Sequence, residues 1–151
     1  MDVSTHAIEP VDPLRLRAAD EQSVEVLAEC LFEALAIAAG MRFDQEANRF
    51  VLALERFTWE AAAGDDSRLQ QVPCVLTIER VVRVAQTGLG PQARGRILSL
   101  SSFTCEAGTL LLVFDEGAAV RIDIEGIECR LEDTRPGRLP PVVPGHRRGL
   151  A

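Results

Sequence analysis

Residues 117–133, GAAVRIDIEGIECRLED, constrain the fold more tightly than any other stretch of this chain. Val120, Ile122 and Ile124 alternate with Arg121, Asp123 and Glu125. A period of two with the apolar residues on one side is the pattern of a half-buried strand. Past Gly126 the apolar residues are Ile127, Cys129 and Leu131, at odd positions where the earlier ones were even. Both halves can face one core only if an extra residue is absorbed at the join. Gly126 can absorb it as a β-bulge or as a sharp bend between two strands. The outward row of Asp123, Glu125, Glu128, Glu132 and Asp133 makes the stretch acidic, but nothing in it carries chemistry.

Upstream, the chain reads as more of the same sheet. Residues 109–114 and a strand over 96–105 are joined to this stretch and to each other by short turns at 106–108 and 115–117, which predicts an antiparallel meander. Within 96–105 the spacing puts Ile97 and Phe103 on one face and Leu98 and Leu100 on the other. Residues 74–85 read as one strand with Leu76, Ile78, Val82 and Val84 on one face and Arg80 interrupting it. Residues 41–44 and 49–57 flank a polar turn, a β-hairpin in which Phe50, Leu52 and Leu54 share a face and after which Trp59 plugs an end of the core. Residues 61–71 read as a surface loop, and 88–95 as a turn-rich connection.

A helix is predicted over 21–39. Asp20 or Ser23 caps it, Val24, Leu27, Leu31, Leu35 and Ala38 form its apolar stripe, and Gly40 ends it as a C′ glycine. Residues 14–17 alternate as a short edge strand. The expected architecture is therefore α+β: a curved, mostly antiparallel sheet or partial barrel of about six or seven strands packed on one N-terminal helix. A pleckstrin-homology-like arrangement is the alternative. The single domain is expected over residues 14–134, with a flexible arm at 1–13 and a disordered Pro/Arg-rich tail at 135–151.

A hydrophobic fraction of 47% is enough for a true core, and no apolar run approaches the roughly 18 residues of a membrane span. The N-terminus is acidic and has no signal-like segment, so a cytoplasmic location is expected. All sixteen basic residues are Arg, which fits a GC-rich genome better than phosphate recognition. Cys30, Cys74, Cys105 and Cys129 are widely spaced and sit in or beside apolar segments, as buried free thiols do. Of the net charge of −7, residues 1–66 carry −9 and 115–134 carry −5, whereas 67–114 carry +3 and 135–151 carry +4. Nucleic acid and anionic lipid repel such a domain, so neither is an expected partner.

Candidate chemistry is sparse. His6 and His146 are the only histidines, one in each terminal arm, which removes most His-based catalysis and zinc sites from the core. Asp65 with Asp66, and Asp115 with Glu116, are adjacent acids of the kind that solvate turns. The loop GLGPQARG lacks the lysine and hydroxyl of a phosphate cradle and precedes a strand. Neither Cys105 nor Cys129 has a neighbouring histidine to activate it. No cofactor is expected. Two features remain. Glu21, Glu25, Glu29 and Glu33 recur every four residues, a solvated acidic helix face or a contact surface for a basic partner. Arg80 sits where the pattern wants an apolar residue: either a bulge or an edge strand turns it outward, or it is buried against a carboxylate and serves, with Arg56, as an anchor for a ligand.

The stretches RFVLALERFTWE (49–60) and GAAVRIDIEGIECRLED (117–133), preceded by a helix ending in GMRF (40–43), together resemble a small bacterial family known only as a domain of unknown function, DUF2948. The resemblance spans about residues 14–133 and departs at Glu55, where Asn is usual, and at Gly126, where Cys is usual. It implies a single compact domain and brings no activity, cofactor or site residue. Two function classes follow. One is a non-catalytic protein-interaction or regulatory domain that binds a partner or a second copy. The other is an enzyme or small-ligand protein with an Arg/carboxylate site. The lack of any catalytic motif favours the first.

Overall fold

The computed structural model describes residues 13–62, 69–93 and 95–135. The predicted arm and tail therefore lie outside the described residues except for Pro13 and Arg135, as do His6, Asp65, Asp66 and His146.

The chain opens with β1 (Arg15–Ala18) and helix α1 (Glu21–Cys30). The hairpin β2 (Leu35–Asp44) and β3 (Arg49–Phe57) follows, then a single turn of helix α2 (Trp59–Ala62). Next come β4 (Gln71–Ile78), β5 (Val81–Thr87), β6 (Ile97–Glu106), β7 (Thr109–Phe114), β8 (Ala119–Ile124) and β9 (Cys129–Asp133). These form one open sheet in the order β1-β9-β4-β3-β2-β6-β7-β8-β5, with all neighbours antiparallel. The α+β class holds, and nine strands replace the expected six or seven.

One of the extra strands comes from splitting residues 74–85. Arg80 adopts a left-handed φ of 59° and turns the chain out of β4, so β5 pairs with β8 in the other half of the sheet. Val81 is buried and Val82 is 57% exposed, the reverse of the phase a single strand would give.

The long helix is the largest correction. Its start is as expected: Asp20 Oδ1 accepts from the Ser23 amide at 2.7 Å, and Ser23 Oγ accepts from the Asp20 amide at 3.1 Å, a reciprocal cap. Its end is not. The helix stops at Cys30, Glu33 takes a φ of 60°, and the chain pairs with β6 through Glu33 N–Leu100 O and Leu100 N–Ala34 O, both 2.9 Å. Ala34 and Ala36 are buried while Ile37 is exposed, which is strand periodicity. The run LFEALAIAAG satisfies both periods, and its Ala-rich helix propensity gives way to pairing on both sides of β2. Gly40 is consequently no helix cap. It lies in an irregular stretch where residues 37–40 of β2 oppose Ala53 alone.

The slip at Gly126 is the sharp bend. β8 pairs with β7 and β5, whereas β9 pairs with β4 and β1, so the two halves of the opening stretch sit in different parts of the sheet. The crossing is held beside the Arg80 turn by Glu125 N–Arg80 O and Glu79 N–Glu128 O, both 2.9 Å. A second phase slip occurs in β6, where Leu100 faces Phe114 and Ser102 faces Val113. Ser101 is the extra residue, and it lets Leu98, Leu100 and Phe103 all reach the interior, against the expectation that they split between faces. The β6–β7 loop is two residues, Ala107 and Gly108, both at positive φ, which matches the twist of the flanking strands.

Both halves of the sheet feed one core. Leu52, Leu76 and Leu131 from one half and Leu100, Leu112 and Ile122 from the other are fully buried together with Val24 and Leu27 of α1. Each such side chain contributes roughly 1.5–3 kcal/mol by leaving water. Helix α1 packs on β6 and β1.

The cap also predicts a pH dependence. The hydroxyl of Ser23, and then its backbone amide, hold the Asp20 carboxyl below its ordinary range. Its stabilising contribution is present above an unfolded-state value of about 3.9 and is lost as pH falls through the lowered folded value. Asp20→Ala should lower the melting temperature by about 2–6 °C at neutral pH, and thermal melts should show that gap narrowing as the pH is taken below about 3.9.

Candidate functional site

Arg56 continues the inward row of Phe50, Leu52 and Leu54 to the end of β3, and its side chain is fully buried. A buried guanidinium must be answered by a carboxylate. Arg56 Nε donates to Asp133 Oδ1 at 2.8 Å and Nη2 to Asp133 Oδ2 at 2.9 Å, a two-pronged pair. Nη1 donates to Glu60 Oε1 at 3.0 Å and to the Phe57 carbonyl at 3.4 Å. Asp133 Oδ2 also accepts from the Leu14 amide at 2.8 Å. Burial alone would lower the pKa of Arg56, but its hydrogen bonds to Asp133 and Glu60 outweigh it and raise the value. The cluster ties β3, α2, β9 and the approach to β1 together, and all three guanidinium nitrogens point at protein oxygens. It is a structural clip.

Arg80, the other predicted anchor, is exposed in its turn, and its guanidinium lies over Gly126. The two predicted anchors are not brought together. Nearby, Glu79 accepts from Arg49 at 3.0 Å and Arg130 at 3.1 Å. Asp115 Oδ1 accepts from the Ser99 amide at 3.0 Å, and Glu116 pairs with Arg96 at 3.1 Å, so the acidic turn at 115–117 is used within the fold. Among the described residues no three His, Cys, Asp or Glu side chains cluster in a way that could hold a metal. No helix among them is long and apolar enough to cross a membrane.

The cysteines are free thiols. Burial pushes Cys74 and Cys129 up to about 12, and raises Cys30 and Cys105 as well. The thiolate is the nucleophile, so all four are poor ones. An aromatic disulfide reagent at pH 7.5 should react slowly with Cys30 and Cys105 and leave Cys74 and Cys129 untouched until the protein is denatured, when four thiols titrate.

Among the described residues two largely apolar clefts stand out. The first, of about 440 Å³, lies between the end of α1 and β6 and is lined by Ala28, Glu29, Phe32, Trp59, Ser101 and Phe103 among others. Phe32 is 41% exposed. The Trp59 ring packs 6.0 Å from both Phe32 and Phe57, and its indole Nε1 donates to the Phe32 carbonyl at 2.9 Å. Trp59 thus closes the edge of this cleft. The early helix end creates the cleft by letting Phe32 swing away from the helix. Of the glutamate row, Glu21, Glu25 and Glu29 stay on the exposed side of α1, and Glu29 borders the cleft; Glu33 leaves the row because it is no longer helical. Sequence periodicity had placed residues 31–39 in a helix and so missed Phe32. The second cleft, of about 450 Å³, is lined by Ile37, Ala53, Glu55, Val75, Ile97 and Arg135 among others.

No curated protein and no solved structure matches the chain. A family model described as a protein of unknown function, DUF2948, matches residues 14–146. That match includes both stretches that resemble it, placed in β3 and in the β8–β9 crossing, and the chain belongs to the DUF2948 family.

Proposed function

We propose that this chain is a non-catalytic protein-interaction domain. Its cleft between α1 and β6 receives a large apolar side chain from a partner segment that also carries basic residues. The observation that carries this reading is the exposed Phe32 beside Trp59, in a cleft whose lining is almost wholly apolar and whose rim is Glu29. Aromatic side chains in a partly dry cleft are the usual anchors of protein contacts. Glu21 and Glu25 extend the negative rim along α1 and favour a cationic neighbour to the anchor. Among the described residues that line the cleft, Glu29 is the only ionisable side chain and neither Ser101 nor Ser102 has a histidine or lysine beside it, which supports a binding role over a catalytic one. Four free thiols suit the reducing cytoplasm.

The test is selection from a phage-displayed random peptide library against the full chain. The reading expects enriched peptides with an aromatic or branched aliphatic residue next to Arg or Lys. Their binding should weaken at least tenfold with Phe32→Ser and two- to fivefold with Glu29→Gln, and should fall with added salt. Enriched peptides that bind Phe32→Ser as well as the wild type would sink the cleft as the site.

A further inference from the structure

The second cleft points to a different occupant, one that belongs to the chain itself. It lies on the surface of β2, β3 and β4, where Ala53 and Val75 alternate with the core-facing Leu54 and Leu76. Ile97 is 65% exposed beside it and Ile37 is 40% exposed. Branched apolar side chains open to water at a sheet surface are costly to leave uncovered.

The chain runs directly into this cleft. The pairing of β9 with β4 extends one residue past Asp133: the Thr134 amide donates to the Pro73 carbonyl at 2.9 Å, and Thr134 Oγ1 donates to the same oxygen at 3.2 Å. Thr134 and Arg135 then line the cleft. The sequence that follows is PGRLPPVVPG, residues 136–145, outside the described residues. Its apolar residues are Leu139, Val142 and Val143, interleaved with Pro140, Pro141 and Pro144. Proline has no N–H to add to a strand edge, so a segment of this composition binds through side chains laid in a groove. A proline-rich segment also loses little backbone entropy on docking. Val143 is eight residues beyond Arg135, a reach of at most about 28 Å, which spans a cleft of this size. The family match runs on to residue 146, well past the end of β9, so this stretch is part of the family's own sequence.

We propose that residues 139–143 dock in the cleft of the same chain and cover Ile37 and Ile97. The segment then completes the outer layer of the sheet and leaves the Phe32 cleft untouched. This stands independently of the function proposed for that cleft.

The test uses the full chain with methyl-labelled Ile, Leu and Val. The proposal expects nuclear Overhauser contacts from the Val142 and Val143 methyls to those of Ile97 or Ile37, unchanged on tenfold dilution. It also expects Ile97 to be shielded from a soluble paramagnetic agent in the wild type. Val142→Asp combined with Val143→Asp, both outside the sheet, should at least double the broadening of Ile97. Random-coil shifts for Val142 and Val143 with no such contacts, or an Ile97 equally exposed in wild type and variant, would overturn it. Contacts seen only between differently labelled chains in a mixed sample would overturn it too, because the occupant would then be a second copy.

Discussion

Arg56→Ala should lower the stability of this domain by about 3–5 kcal/mol, a large part of the roughly 5–15 kcal/mol that holds a domain of this size. The loss does not come from a strong attraction between Arg56 and Asp133. It comes from leaving Asp133, whose side chain is 2% exposed, as a buried carboxylate with no cation. The same reasoning predicts that a double replacement, Arg56→Met with Asp133→Leu, recovers most of the loss, because neither residue then strands a charge. Glu60 is a third of the way exposed and is answered by water when Arg56 is absent. Urea unfolding followed by the fluorescence of Trp59, the only tryptophan in a chain without tyrosine, measures all three proteins on one scale. A loss below about 1 kcal/mol in Arg56→Ala would mean that the clip is not the tie described above.

Gly88→Ala should be nearly as damaging, at about 2–4 kcal/mol, although Gly88 lies in a loop. Its φ of 71° already costs an alanine about 1–2 kcal/mol. A Cβ there would also lie 2.7 Å from the Gly117 carbonyl oxygen and 3.1 Å from the Ala118 Cα, both backbone atoms of the turn between β7 and β8. Neither can move without displacing Ala118, which is fully buried. Gly126, whose slip in phase dominates the sequence, is the instructive contrast. An added Cβ meets the guanidinium of Arg80, the far end of a flexible exposed side chain, and φ is not in the left-handed region. Gly126→Ala should therefore cost less than about 1 kcal/mol, because Arg80 swings aside. A sequence reading that takes Gly126 for a bulge expects a large cost there; the bend between two strands does not require one. Parallel urea curves for the two alanine variants decide the matter.

The strands were legible wherever alternation was clean and turns were short. Residues 109–133 lie as the period of two predicts, down to a change of partner at Gly126. The hairpin of β2 and β3 was legible too, because a polar turn separates two apolar runs. What failed did so where one sequence satisfies two periods. Residues 31–39 carry apolar side chains at spacings of both two and four, and only pairing with β6 and β3 selects the strand. Val81 and Val82 are adjacent valines, so the sequence does not say which faces inward; the left-handed turn at Arg80 does. The buried role of Arg56 was visible in principle, since it shares the parity of Phe50, Leu52 and Leu54. Arg80 drew attention instead because it broke a strand that the chain does not form. The Phe32 cleft depends on where the helix ends, and so the misplaced helix hid it.

The central claim is that the cleft between α1 and β6 is the binding surface, and Trp59, which lines it, is its reporter. A peptide selected against the full chain should be titrated while the indole N–H resonance and the fluorescence of Trp59 are followed. The account predicts a saturable shift of the single indole resonance, which is held by the Phe32 carbonyl, together with shifts at Glu29 and Phe103. Saturable binding that leaves Trp59 unmoved and shifts Ile37, Val75 and Ile97 instead would contradict it.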